Sequence, residues 1–152
     1  MARDQTMQPT LYAFDSFLRQ LLEPKYCYLG KVQRQKYLYE VYRLGIASTG
    51  HSPFEARIEA WPMGPVFPSF FFDFKRRPLA LAAELSAEQR DLCVSVANLL
   101  GGSSGQQLSL RSHEFPEWKT AFAAILENGS NHISISMIQA ALAEEAQCPT
   151  KN

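Results

Sequence analysis

The sequence predicts a mainly helical α+β fold, a compact single domain of about six helices with one short β element. Capping pairs and apolar residues at helical spacing recur along most of the chain. Strand-like alternation of apolar and polar residues is confined to residues 54–61. The chain has 152 residues, 46% of them hydrophobic, which is enough for one buried core. We expect the domain to span residues 10–146, between flexible ends at residues 1–9 and 147–152.

The first two helices are predicted from apolar residues at three- and four-residue spacing. Residues 10–23 form the first, with Thr10 as its N-cap. Pro24 is expected to end it, because the residue before a proline avoids helical angles. Residues 31–48 form the second, and its basic side chains are expected on a solvated face. Those side chains are Lys31, Arg34, Lys36 and Arg43.

Several later helices are predicted from their capping residues. A serine followed three residues later by glutamine matches the capping box, in which each side chain bonds the other residue's backbone N–H. Three such pairs occur: Ser86 with Gln89, Ser104 with Gln107, and Ser136 with Gln139. Pro116 suits the first turn of a further helix, where its missing N–H is no loss.

Residues 54–77 combine the β element, a tight turn and an aromatic helix. In the first eight residues the apolar side chains fall on one side, as in a strand with one buried face. Pro62, Gly64 and Pro65 then predict a turn, so that the β element precedes a Gly-Pro-Val turn. A short helix is expected to open near Pro68, because proline suits the first helical position.

The short helix holds more aromatic rings than one buried face can take. Phe70, Phe71 and Phe72 point in directions about 100° apart, and Phe74 returns to the side of the first two. Either neighbouring elements enclose the helix on several sides, or at least one ring lies on an accessible surface kept for a partner. The residues alone leave both interpretations open.

Composition and spacing give little support for catalysis. None of the three histidines (His51, His113 and His132) pairs with another histidine or a cysteine at metal-ligand spacing. There is no Gly-x-Ser-x-Gly motif, and the three cysteines are scattered. We therefore expect a protein that is not an enzyme and that has no cofactor or metal. The scattered cysteines and the absence of a membrane-length apolar run favour the cytoplasm.

Nucleic acid is the alternative partner that the residues suggest. The formal net charge is zero, whereas a protein that depends on phosphate contacts is usually basic. Basic residues 75–77 could nevertheless join the basic second helix in one phosphate-binding surface, with Tyr37 and Tyr39 between them. A nucleic-acid partner is therefore the less favoured expectation.

Three blocks of the chain form a recognisable pattern. They are QKYLY at residues 35–39, IEAWPMGPVFP at residues 58–68, and residues 107–121, which place Leu-Ser, His and Trp at fixed spacing. Together they resemble the Panacea domain, the SocA-like antitoxin family, which includes phage-associated proteins of the GepA type. Met63 departs from the pattern, since many members have an aromatic residue there, and Arg34 replaces an apolar residue.

The resemblance implies an antitoxin that neutralises a cognate toxin by direct protein contact. For the SocA type it also implies an adaptor that delivers the toxin to an ATP-dependent protease. Two alternatives remain: a DNA-binding autoregulator, and a phage-encoded protein that interacts with a host defence component.

Candidate residues follow from this implied role. A large interface needs apolar or aromatic anchors, and the candidates for partner contact are Trp61, Met63, Phe70, Phe71 and Phe72. The residues expected to build the motif itself are Gly64, Pro65, Val66, His113 and Trp118. His113, between two predicted helices, is interpreted as a hydrogen-bonded residue that fixes the corner, with partner contact as the alternative.

Overall fold

The computed structural model describes residues 9–73 and 75–147. Within them the chain forms seven α-helices, one 3-10 helix and a two-stranded antiparallel sheet. The α-helices are α1 (Leu11–Tyr26), α2 (Lys31–Thr49), α3 (Pro68–Phe72), α4 (Ala87–Leu100), α5 (Gly105–Ser112), α6 (Pro116–Asn128) and α7 (Ile135–Ala146). The strands are β1 (Glu59–Trp61) and β2 (Gly64–Val66), and the 3-10 helix spans Leu79–Glu84. The predicted mainly helical class is confirmed, with slightly more helices than expected.

Helix α2 runs through the middle of the fold. It contacts α1, α3, α4, α5, α7 and β2, so side chains on all of its faces are buried. The predicted solvated basic face is therefore wrong: Arg34, Lys36 and Arg43 are buried, and Lys31 in the first turn is half-buried. Periodicity misled here because polar atoms of an enclosed helix can be satisfied by distant groups rather than by water.

Carboxylates on neighbouring helices compensate the buried arginines. Asp15 of α1 accepts two hydrogen bonds from Arg34, of 2.9 and 2.6 Å. Glu117 of α6 accepts from Nε of Arg43 at 2.7 Å and from the hydroxyl of Tyr39 at 2.5 Å. These bonds fix α2 against α1 and α6, because separating a pair would leave a charge buried without its partner.

The β element is a hairpin rather than the single strand predicted. β1 and β2 pair antiparallel and are joined by a two-residue turn, Pro62 and Met63. The Gly-Pro-Val run is thus the second strand and not the turn. Pro65 is tolerated there because, in this register, its missing N–H would point away from β1. Phe54 and Ile58 are buried as the alternation predicted, although both precede β1.

The predicted end of the first helix is also wrong. Pro24 lies inside α1, which continues to Tyr26. The last turn still closes, because the backbone N–H of Cys27 donates to the carbonyl of Glu23 at 3.1 Å. At the other end Thr10 is the N-cap as predicted, although its side chain makes no capping bond.

The capping boxes at Ser86 and Ser104 are confirmed, each with both reciprocal hydrogen bonds. The third predicted cap is wrong: Ser134, two residues before Ser136, is the N-cap of α7. The reason lies in the preceding backbone. The N–H of Ile133 donates to the carbonyl of residue 58 at 2.9 Å, which holds the chain extended as far as the new cap.

No helix within residues 9–73 and 75–147 is long and apolar enough to cross a membrane. Phe74, Cys148 and most of the two predicted flexible ends lie outside the described residues. The predicted domain boundaries therefore stay predictions.

Candidate functional site

Helix α3 divides its three phenylalanines between the core and the surface. Phe70 is fully buried, and its ring centroid lies 5.5 Å from that of Tyr12. Phe71 is half-buried, and Phe72 is 78% exposed. One ring is thus accessible, as the second interpretation of the sequence required. Phe70 cannot reach a partner from the core, so it is corrected from a contact candidate to a core residue.

Trp61 of β1 joins the two outer rings of α3 in one cluster. Its ring centroid lies 4.9 Å from that of Phe71 and 6.2 Å from that of Phe72. The two phenylalanine centroids are 5.3 Å apart, with ring planes at 85°, a favourable edge-to-face geometry. We refer to Trp61, Phe71 and Phe72 as the aromatic surface. Met63 adjoins it in the hairpin turn and is half-buried.

A polar row orients Trp61 from the outward side of β1. Glu59 accepts a hydrogen bond of 2.9 Å from the indole N–H of Trp61 and another of 2.9 Å from Nε of Arg57. These two donors hold the pKa of the Glu59 carboxyl below its usual value. The sequence analysis named Trp61 as a candidate for partner contact but did not place it on the outward face of the strand together with Arg57 and Glu59. The two-residue period of a strand was the signal available for it.

His113 and Trp118 hold the backbone of the hairpin turn. The indole N–H of Trp118 donates to the carbonyl of Trp61 at 2.9 Å. His113 Nε2 lies 2.7 Å from the carbonyl oxygen of Pro62, and because a carbonyl can only accept, this nitrogen carries the proton. The two rings also pack together, with centroids 4.5 Å apart. These two of the five residues predicted to build the motif thus contact the hairpin that carries Trp61.

Gly64 and Pro65 sit over a buried lysine. Gly64 has φ 119°, which suits glycine, and a Cβ there would collide with Oγ of Ser112 and lie 3.0 Å from Nζ of Lys36. Nζ of Lys36 donates to the carbonyl of Pro65 at 2.7 Å. Burial lowers the pKa of Lys36 to about 7. Val66 is also fully buried. The sequence analysis placed this lysine on a solvated face, because local periodicity carries no information about a contact between elements so far apart in the chain.

Most of what α2 would contribute to the phosphate-binding surface considered above is buried. Tyr37 and Tyr39 are both buried, so neither ring is available for stacking with a base. Arg34 and Arg43 are engaged in buried ion pairs. Elsewhere in the described parts of the chain, no group of three or more His, Cys, Asp or Glu side chains is arranged to hold a metal ion.

Comparison with known proteins adds one finding. Searches of curated proteins and of solved structures find no match. A family model described as "Antitoxin SocA-like, Panacea domain" matches residues 35–119, from α2 through the hairpin and α3 into α6. The matched stretch contains every residue of the aromatic surface, and it supports, at the level of the family, a role associated with toxin–antitoxin systems. Because the match covers more than half of the chain, this protein belongs to the SocA-like antitoxin family with a Panacea domain.

Proposed function

We propose that this chain is an antitoxin that binds a cognate toxin directly through the aromatic surface and so neutralises it. The family match supports the general role, and the exposed ring of Phe72 is the observation that supports this mode of action. A large phenylalanine ring exposed beside two further aromatic rings is a typical anchor for a protein interface.

The rigid support of the aromatic surface also favours binding. Phe70 anchors α3 in the core, while Glu59 and Trp118 bond the side chain and the backbone of Trp61. A surface held in one conformation loses little entropy when a partner binds, and more of the contact energy then appears as affinity.

We propose binding rather than catalysis as the mode of action. Cys93 illustrates the reasoning: it is fully buried, and burial raises the pKa of its thiol to about 12. Such a thiol stays protonated at neutral pH and is a poor nucleophile. The other described cysteine, Cys27, is exposed and lies at the end of α1.

Co-expression with the protein encoded by the adjacent reading frame tests the proposal. We expect the neighbour to arrest growth alone, to be harmless when this chain is present, and to co-purify with it at fixed stoichiometry. A harmless neighbour that does not co-purify would contradict the proposal.

The same experiment separates sequestration from delivery to a protease. If this chain only sequesters the toxin, the toxin level stays constant while its activity disappears. If it acts as an adaptor, the toxin level falls, and it falls only in cells that contain the ATP-dependent protease.

A further inference from the structure

We infer that the cleft between the end of α2 and the first part of α4 is a second protein-binding site, which takes an extended basic segment of a partner. The segment would carry lysine or arginine side chains with an apolar residue between them. This inference goes beyond the proposed function, because no residue of the aromatic surface lines the cleft.

The dimensions of the cleft fit a short stretch of peptide. Its volume is about 630 Å³, within the range of about 300 to 1,000 Å³ that is typical of ligand-binding clefts. One wall is α4 from its N-cap Ser86 to Ser95, which is about 14 Å at a rise of about 1.5 Å per residue. An extended chain covers about 3.3 Å per residue, so this wall matches about four residues of a partner.

The opposite wall, formed by the last turns of α2 and the loop after it, is held in place. A Cβ at Gly45 would lie 2.8 Å from Cδ of Pro53, so glycine is what lets the loop pack this closely on α2. The hydroxyl of Thr49 donates to the carbonyl of Gly45 at 2.9 Å and accepts from the N–H of His51 at 3.1 Å. Because the wall is already fixed, a partner pays little entropy to order it.

The charge of the lining favours a cation. The carboxylates of Glu88 and Asp91 both line the cleft, and neither forms an ion pair with any residue that the structure describes. The described lining contains no lysine or arginine, and even a protonated His51 would leave it net negative. Arg90 lies on another side of α4, with its guanidinium carbon 5.9 Å from the ring centroid of Phe17 in α1.

The two helix ends at the cleft also favour a cation over an anion. The C-terminus of a helix carries partial negative charge, and α2 ends here with no basic side chain in its last turn. The N-terminus of α4 carries partial positive charge, but Glu88 in its first turn offsets it. The hydroxyl of Ser86 also accepts from the N–H of Gln89 at 3.2 Å, which occupies one of the donors that an anion would use.

Apolar side chains in the same cleft indicate what accompanies the cation. Leu44 of α2, Leu92 of α4 and Pro53 of the loop line it, and all three are half-buried. A lysine or arginine side chain combines an apolar stem with a charged end, so it can cover these residues while its charge reaches a carboxylate. The lining therefore suits a basic segment that is partly apolar.

Fluorescence anisotropy with the full chain and labelled hexapeptides tests this inference without the toxin. The peptides alternate leucine with arginine, with serine or with glutamate. The arginine peptide should bind at least about tenfold more tightly than the other two. Glu88→Gln combined with Asp91→Asn should raise its Kd about tenfold. The matched control, Glu127→Gln with Glu144→Gln, neutralises two exposed carboxylates on α6 and α7 and should leave the Kd within about twofold.

Two further variants locate the bound peptide. Ser95→Trp places a large side chain in the cleft and should block binding, whereas Phe72→Ala, on the aromatic surface, should leave the Kd unchanged. Urea unfolding of each variant verifies that it is folded. Loss of peptide binding in Phe72→Ala but not in Ser95→Trp would overturn the assignment to the cleft.

Equal affinities for the arginine and serine peptides would overturn the inference, and so would equal losses in the two double variants. Displacement of the arginine peptide by spermidine at a lower concentration than by unlabelled peptide would overturn the protein-segment assignment in favour of a small amine. None of these results would touch the proposed function, whose test is neutralisation of the toxin.

Discussion

Replacing Phe72 by alanine removes the ring of α3 that is 78% exposed in the free protein. Fully burying a phenylalanine side chain contributes about 1.5 to 3 kcal/mol. Because most of the ring is available to a partner, the variant should lose about 2 kcal/mol of binding free energy, which raises the Kd of the toxin complex about thirtyfold. The same substitution should lower the free energy of unfolding by only about 0.5 to 1.5 kcal/mol, since the largely exposed ring contacts Phe71 and Trp61 in the free protein.

Isothermal titration calorimetry with the toxin measures the Kd, and urea unfolding measures stability. Leu126→Ala is the control, because Leu126 on α6 is 92% exposed and lies outside the aromatic surface. It should leave both quantities unchanged. Phe70→Ala should instead lower the free energy of unfolding by about 3 to 5 kcal/mol, as expected for a buried ring. An unchanged Kd in a folded Phe72→Ala variant would refute the assignment of the aromatic surface as the toxin contact.

Three further predictions concern the hairpin, the buried lysine of α2 and the cap of α7. Gly64→Ala should lower the free energy of unfolding by about 2 kcal/mol or more, measured in urea, because a Cβ at φ 119° meets Ser112 and Lys36; stability equal to wild type would contradict the geometry. Burial lowers the pKa of Lys36 to about 7, so above pH 7 the unfolded chain binds a proton that the folded chain has released. The free energy of unfolding, measured in urea at each pH, should therefore rise from pH 7 to about 8.5 by up to about 1.4 kcal/mol per pH unit. This rise should be smaller in Lys36→Met. An equal slope in both proteins would show that another group titrates. Ser134→Ala should lower the free energy of unfolding by about 1 kcal/mol through loss of the α7 cap, while Ser136→Ala, inside the helix, should not. A larger loss in Ser136→Ala than in Ser134→Ala would show that Ser136 is the cap.

Local signals predicted the local parts of this fold. The capping boxes at Ser86 and Ser104 depend on residues three positions apart, so the sequence pattern contains the whole interaction. Pro116 likewise begins α6 as its fixed φ suggested. The aromatic helix α3 also begins at the predicted proline, Pro68.

The features that the sequence did not predict depend on contacts between residues far apart in the chain. Arg34 meets Asp15 and Arg43 meets Glu117, and nothing in the pattern of α2 identifies those distant carboxylates. The same limit applies to α3. Its spacing showed that one stripe could not hold every ring, but only the packing of neighbouring elements decides that Phe70 is the buried ring.

Photo-crosslinking from position 72 tests the central claim most directly. The chain would carry p-benzoylphenylalanine in place of Phe72 and would be irradiated in complex with the toxin from the adjacent reading frame. A matched chain would carry the same photoreactive residue in place of Leu126. If toxin docks on the aromatic surface, the first chain forms a covalent adduct with the toxin and the second does not. A stable complex in which position 72 gives no adduct while position 126 does would contradict the account.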